Sequence, residues 1–274
     1  MKKWGNRLII AAVFLMIASN TAQAAHGDSS NKRYEWYFQK RGNEVPPTTD
    51  QRYLLLLKKY DGMYIGNPNQ KDIYLTFDNG YENGYTDDVL DTLKSRKVPA
   101  AFFVTGHFIN THPDLIKRMA NEGHIVGNHT NHHPDMTTIS GQRMEEELTA
   151  VKDKYTKLTG KKDMHYLRPP RGVFSERSIA LSKQLGYSHV FWSLAFVDWD
   201  VKRQQGWQYS YNHIMKQIHP GCILLLHTVS RDNAEALGKA IDDLKKRGYT
   251  FRSLDDLASK SKMDKPLKQT PKKP

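Results

Sequence analysis

Lys71-Asp-Ile-Tyr-Leu-Thr-Phe-Asp-Asn-Gly-Tyr-Glu-Asn-Gly84 is the stretch that decides the fold. Residues 73–77 read as a buried strand that carries a carboxylate, Asp78, to its C-terminal end and then turns at Gly80. In folds of alternating parallel strands and helices, that end is where chemistry is done. Partners for Asp78 are therefore expected at the ends of the other strands.

Outward from this strand, short apolar runs rich in β-formers alternate with longer segments of helical period. The pattern predicts a helix over 86–96, a strand over 100–105, a helix over 113–121 and a strand over 124–126. A long helix over 142–158 presents Met144, Leu148, Val151 and Tyr155 on one face and stops at Gly160. Strands at 166–167, 189–192, 223–226 and 249–252 then alternate with helices over 176–185, 207–218 and 233–246, the first capped by Ser175. Repeated βα units imply a parallel sheet covered by helices. A closed or nearly closed barrel is preferred, with an open doubly wound sheet second. No glycine-rich phosphate loop follows the first strand, which argues against a bound nucleotide.

At 274 residues one main domain suffices. Lys2, Lys3 and Arg7 precede an apolar run over 8–18 that is short for a bilayer span. Ala22-Gln23-Ala24 supplies a small-residue cleavage pattern. Residues 1–24 thus read as a signal peptide, with a retained anchor as the alternative, and either way the protein works outside the cytoplasm. Residues 25–70 form an N-terminal extension. Its clustered Tyr34, Trp36, Tyr37 and Phe38, and a helix capped by Asp50 and ending near Gly62, are expected to pack on the barrel. The catalytic unit then spans 71–257, and 258–274 is a lysine- and proline-rich tail not expected to fold.

The formal charge is +12, and removal of the leader's three cations leaves +9. A basic surface of this kind suits an anionic cell-wall polymer or a membrane surface. Nucleic acid is not expected, because no compact basic helix carries interleaved aromatics. The single cysteine, Cys222, lies in an apolar run and is read as core packing.

The strand ends carry the chemistry. After 124–126, His129 and His133 stand four apart, a spacing that on a helical turn lets two imidazoles reach one metal ion. After 166–167, Arg168 opens the stiff run Arg168-Pro169-Pro170-Arg171-Gly172 and can hold a carboxylate through a bidentate fork. Asp198 lies among aromatics after 189–192, and His227 ends the most apolar strand. Each feature alone has a bland reading: a chance pair of histidines, a solvent arginine, a satisfied core histidine. Together they place two carboxylates, an arginine and three histidines at one rim, which is a hydrolytic set.

In this order the motifs strongly resemble the polysaccharide deacetylases, whose catalytic unit is the NodB homology domain, family 4 of the carbohydrate esterases. The resemblance covers roughly 71–257 through Thr76-Phe77-Asp78-Asn79-Gly80, His129-Thr130-Asn131-His132-His133, Arg168 to Gly172, Asp198-Trp199 and Leu225-Leu226-His227. It implies a distorted (β/α)7, TIM-like barrel and metal-assisted hydrolysis of N-acetyl groups on a sugar. By the same resemblance Asp78 is the general base, His227 the general acid, Arg168 the support of Asp78 and Asp198 the support of His227. His129 and His133 hold a divalent metal ion, with zinc the expected one, and catalysis with little metal dependence is the alternative. The family's second aspartate of the first motif is replaced by Asn79, which offers a neutral oxygen and makes it a weak ligand. A backbone amide near Tyr81 is expected to help stabilise the oxyanion, and Trp199 and Tyr81 to stack on sugar faces.

The continuation through Tyr81 to Gly84, and residues 227–237, look like the sporulation subfamily that deacetylates N-acetylmuramic acid. That implies peptidoglycan glycan strands lacking the peptide stem as substrate and partner. It also implies a place in muramic δ-lactam formation in the spore cortex. The location would be the cell wall or the forespore intermembrane space, and the state a monomer. Arg171 is then the cation nearest in sequence for the lactyl carboxylate. Two other readings stay open: a noncatalytic wall-glycan-binding module and an O-acetyl sugar esterase.

Overall fold

The computed structural model describes residues 29–263. The expected leader, 1–24, and the end of the expected tail lie outside the described residues. In chain order the elements are β1 (Tyr34–Glu35), α1 (Gln51–Tyr60), β2 (Asp72–Asn79), α2 (Thr86–Arg96), β3 (Ala100–Val104), α3 (Gly106–Thr111), α4 (Pro113–Asn121), β4 (Ile125–Asn128) and α5 (Gly141–Thr159). There follow β5 (Tyr166–Leu167), β6 (Val173–Phe174), α6 (Glu176–Gln184), β7 (Ser188–His189), α7 (Trp207–Gln217), β8 (Cys222–His227), α8 (Arg231–Lys246), β9 (Thr250–Phe251) and α9 (Leu254–Met263).

The main sheet is parallel, in the order β7-β5-β4-β3-β2-β8, with β9 paired to the start of β2. β2 is central, and all eight of its residues are buried, which is why the quoted stretch shows no polar alternation. Ile73, Leu75 and Phe77 pack against the α2 and α8 residues Leu90, Leu93, Ile241 and Leu244. Tyr74 faces the other way and packs with Ala101, Phe103, Val190 and Ile223 in the barrel interior. Strand period two then puts Thr76 and Asp78 on that interior face, one and two steps nearer the rim. The sheet curls until Leu194, past β7, bridges Leu224 of β8, with the Leu225 N–H donating to the Leu194 carbonyl at 2.9 Å. The distorted seven-stranded barrel expected from the sequence is the fold observed. Cys222 is buried in its wall.

Three local expectations change. The strand expected over 189–192 is regular only as β7; beyond it Val190 N–H still donates to the Leu167 carbonyl, but the chain also bonds to the N-terminal extension. Met63 N–H donates to the His189 carbonyl at 2.8 Å, and Phe191 N–H to the Met63 carbonyl at 2.7 Å. α3 is an added helix, started by the Thr105 hydroxyl, which accepts from Phe108 N–H. α9 runs beyond the boundary placed at 257. A reciprocal Ser253–Asp256 cap starts it, buried Leu254 and Leu257 hold it to the barrel, and Lys260 reaches Asp72 at 2.8 Å.

The described part of the N-terminal extension makes contact with the barrel. β1 pairs antiparallel with β6, and Trp36 stacks on Phe191 at 4.5 Å between ring centres. Tyr53 and Leu57 of α1 close the same cluster over Phe174.

Candidate active site

Asp78 and Arg168 come from the ends of β2 and β5 and meet inside the barrel. Arg168 is wholly buried, with its guanidinium over the Phe103 ring at 4.3 Å. Its Nη1 donates to Asp78 Oδ1 at 2.8 Å. The bidentate fork expected from the sequence is not formed. Nη2 goes instead to Thr76 Oγ1 and the Phe191 carbonyl, and Nε to the Val190 carbonyl. One carboxylate oxygen is thus fixed, and Oδ2 is left facing the cavity side. Burial disfavours the charged Asp78, but the Arg168 cation beside it prevails and holds the carboxyl below its ordinary range.

Asp78 Oδ2 lies 3.6 Å from His129 Nε2. His129 Nδ1 sits 2.8 Å from the Arg168 carbonyl. A carbonyl only accepts, so Nδ1 carries the proton and Nε2 presents a lone pair. Burial keeps the ring neutral. Two acceptors therefore face each other, an arrangement that an intervening cation or water relieves. The His133 ring is 4.9 Å from that of His129, and burial pushes its pKa down to about 4, so it too is a neutral donor. These observations fit a divalent cation held by His129 and His133, with positions left open for water and substrate. They do not make a closed site: no cluster of three His, Cys, Asp or Glu side chains able to enclose a metal is found among the described residues. Asn79 lies on the other face of β2 from Asp78. Its Nδ2 donates to Thr228 Oγ1 at 2.6 Å, while its Oδ1 is buried without a hydrogen-bond partner, an orphan of the kind a cation satisfies. Asn79 is not among the residues that line the cavity.

Next to β2, β8 delivers His227 in register with Asp78. Its Nδ1 lies 2.8 Å from Asp198 Oδ1, and its backbone N–H donates to Asp198 Oδ2 at 2.8 Å. Asn233, in the first turn of α8, donates its side-chain amide to the same Oδ2. Burial opposes a charged imidazole, but Asp198 outweighs it and raises the pKa of His227 above the ordinary value.

Asp78, His129, His133 and His227 line one cavity of about 1050 Å³, walled also by Tyr81, Arg171 and Trp199. Arg168 and Asp198 stand behind Asp78 and His227. Tyr81 and Trp199 are 45% and 55% exposed, at the rim where a sugar face would meet them. Arg171 takes the left-handed conformation, φ 57°, followed by Gly172 at φ 68°. A Cβ on Gly172 would meet the Trp192 ring at 2.8 Å, so this tight turn needs glycine.

Several residues of the site were not singled out from the sequence. His107, Asn131, His132, Trp192 and Phe196 also line the cavity. Asn233 had no signal, since nothing local ties it to Asp198. Glu147 had one: it falls on the apolar face of α5 beside Met144, Leu148 and Val151, where an unpaired carboxylate would be costly.

Comparison with known proteins agrees with this geometry. Residues 65–190 match the polysaccharide deacetylase family model. The chain is 53% identical over 264 residues to the peptidoglycan-N-acetylmuramic acid deacetylase PdaA of Bacillus subtilis, which covers 96% of this chain and 99% of that relative. The solved structure of Bacillus subtilis PdaA, a family 4 carbohydrate esterase, aligns with a TM-score of 0.83 at 56% identity, covering 85% of this chain and 99% of that one. A family 4 carbohydrate esterase from Bacillus anthracis aligns at 0.72 and 52% identity, covering 84% and 98%. Agreement over almost the whole length of such relatives, with the same barrel, leads to one assignment: the chain belongs to the polysaccharide deacetylase family.

Proposed function

We propose that the protein is a hydrolase that removes the N-acetyl group from N-acetylmuramic acid in peptidoglycan glycan strands. One observation carries the reading. A buried, ionised Asp78 and a charge-stabilised His227 stand side by side on adjacent strands, at the wall of a cavity that two neutral imidazoles also line. The high identity to a relative described as an N-acetylmuramic acid deacetylase supports the substrate.

In the proposed reaction Asp78 takes a proton from a water placed beside His129 and His133, and the water oxygen bonds to the acetyl carbonyl carbon. Arg168 keeps Asp78 ionised and oriented, with Oδ2 turned to the water. A backbone amide of the Tyr81 turn supports the developing oxyanion. His227 then donates its proton to the sugar nitrogen as the C–N bond breaks, giving acetate and a free amine. Asp198 keeps that proton in place and fixes the ring through Nδ1. His129 and His133 would hold the divalent cation, for which zinc suits imidazole donors. The chemistry it supplies when bound is polarisation of the acetyl carbonyl.

The proposal extends to strands freed of the peptide stem, to muramic δ-lactam formation in the spore cortex, and to a monomer acting in the cell wall or the forespore intermembrane space. These rest on the resemblance. No helix among the described residues is long and apolar enough to cross a membrane. Arg171 lines the cavity and has no salt-bridge partner among the described residues, which supports a role for it in meeting the lactyl carboxylate that distinguishes muramic acid. The test is to treat stem-free glycan strands, release the sugars and locate the free amines. Free amines on muramic residues support the reading. Free amines confined to glucosamine, or acetate released only from O-acetylated strands, contradict it.

A further inference from the structure

We infer that Glu147 of α5 is a positioning residue that sets the turn carrying His129 and His133; the inference rests on the reading of that pair as the cation site. His129 needs no help from α5, because its N–H donates to the Val104 carbonyl and its ring to the Arg168 carbonyl. His133 is different. It lies past a turn in which both Thr130, φ 67°, and His133 itself, φ 57°, take the left-handed conformation. Such a conformation is strained for a residue with a side chain, most of all for a branched one, and persists only where the surroundings over-determine it.

The surroundings here come from two sides. From β4, Asn128 Oδ1 accepts from Thr130 N–H at 2.8 Å, and Thr130 Oγ1 accepts from His133 N–H at 3.0 Å. From α5, Glu147 Oε2 accepts from His132 N–H at 2.7 Å, and Oε1 lies 2.7 Å from His132 Nδ1. Lys154, further along α5, donates to Asn131 Oδ1 at 2.8 Å. Glu147 is 2% exposed, on the apolar face of its helix, with Arg143 one turn earlier donating to it at 2.7 Å. A carboxylate buried there is costly unless it is fully used. Its use is to grip the backbone between the two imidazoles and so fix the reach of His133 toward His129. The proposed reaction gives Glu147 no other task.

The test uses the full protein, with Co2+ as the probe ion, and compares wild type with Glu147→Gln and Glu147→Met. Gln keeps an oxygen for His132 N–H, and Met keeps the packing but no acceptor. We expect Met to weaken Co2+ binding by about tenfold to a hundredfold, as loss of a partner that orients a ligand does elsewhere. Gln should stay within about threefold of wild type, since the rescue lies in the retained acceptor. Unfolding midpoints measured in chelator should differ little between the two variants, which separates positioning from general stability. If Met does not fold, Glu147→Asp, drawn back by one methylene, takes its place with the same expectation. Unchanged affinity in Met, or an affinity that falls in step with the midpoint in both variants, overturns the inference alone. No Co2+ bound by the wild type overturns the cation site itself and the inference with it.

Discussion

Two imidazole–carboxylate pairs flank the cavity at nearly equal distance, His227 with Asp198 at 2.8 Å and His132 with Glu147 at 2.7 Å, yet they are built for different ends. Asp198 is otherwise met by neutral donors, the His227 backbone N–H and the Asn233 amide. Its charge therefore acts on the His227 ring, whose side chain is 23% exposed. Glu147 is met by the Arg143 guanidinium, and the His132 side chain is 63% exposed. Its charge is matched before the imidazole contributes, and water screens the rest. A carboxylate's hold over a histidine is set by its other partners and by exposure, not by the separation alone.

The sharpest way to break this comparison is to remove each carboxylate's influence in turn. Asp198→Ala should lower kcat for acetate release by roughly 10²–10⁴, the usual worth of positioned acid–base catalysis, with KM little changed. A loss below tenfold would make the two pairs equivalent. Next comes the pH profile. The Asp198 charge stabilises protonated His227, so activity that needs this proton should persist to pH values above the ordinary imidazole pKa of about 6.5. In Asp198→Asn the imidazolium loses its counter-charge, and the alkaline limb should move to lower pH. A limb that stays in place would assign it to another group.

A smaller effect is expected at the cavity wall. Arg171→Ala should weaken turnover of muramic-acid strands by about tenfold, the scale of one charge-assisted contact, and leave chitin oligomers nearly untouched. Equal losses on both would remove Arg171 from substrate selection. The smallest effect belongs to the open pair. His132→Gln should change acetate release by less than about threefold, because exposed pairs are worth little and the Glu147 grip on the His132 N–H survives the change.

Much of this was legible in the sequence where the signal was local. Residues 73–77 carry no charged side chain because β2 is buried on both faces, and the strand-end candidates Asp78, Arg168 and His227 are legible because parallel strands place their C-terminal ends together. What was not legible depended on partners distant in sequence. Arg168 showed its charge but not its geometry: Thr76 and the Phe191 carbonyl, on other segments, take the amino group that a bidentate fork would need. Residues 189–192 read as one strand because Val190 and Phe191 are strand-formers. Their partner, Met63, belongs to an extension that composition alone could not dock. α3 was too short to show a period. α9 was hidden by the lysines that follow it, although Ser253 and Asp256 carried its start signal.

The central claim is that Asp78 is the base of an N-deacetylase, and acetate release from stem-free peptidoglycan strands by wild type and by Asp78→Asn, each with and without chelator, tests it most directly. Release by wild type that falls by at least about a hundredfold in Asp78→Asn, and falls with chelator in wild type as the open two-imidazole site predicts, is the result expected. Release that survives Asp78→Asn would contradict the account.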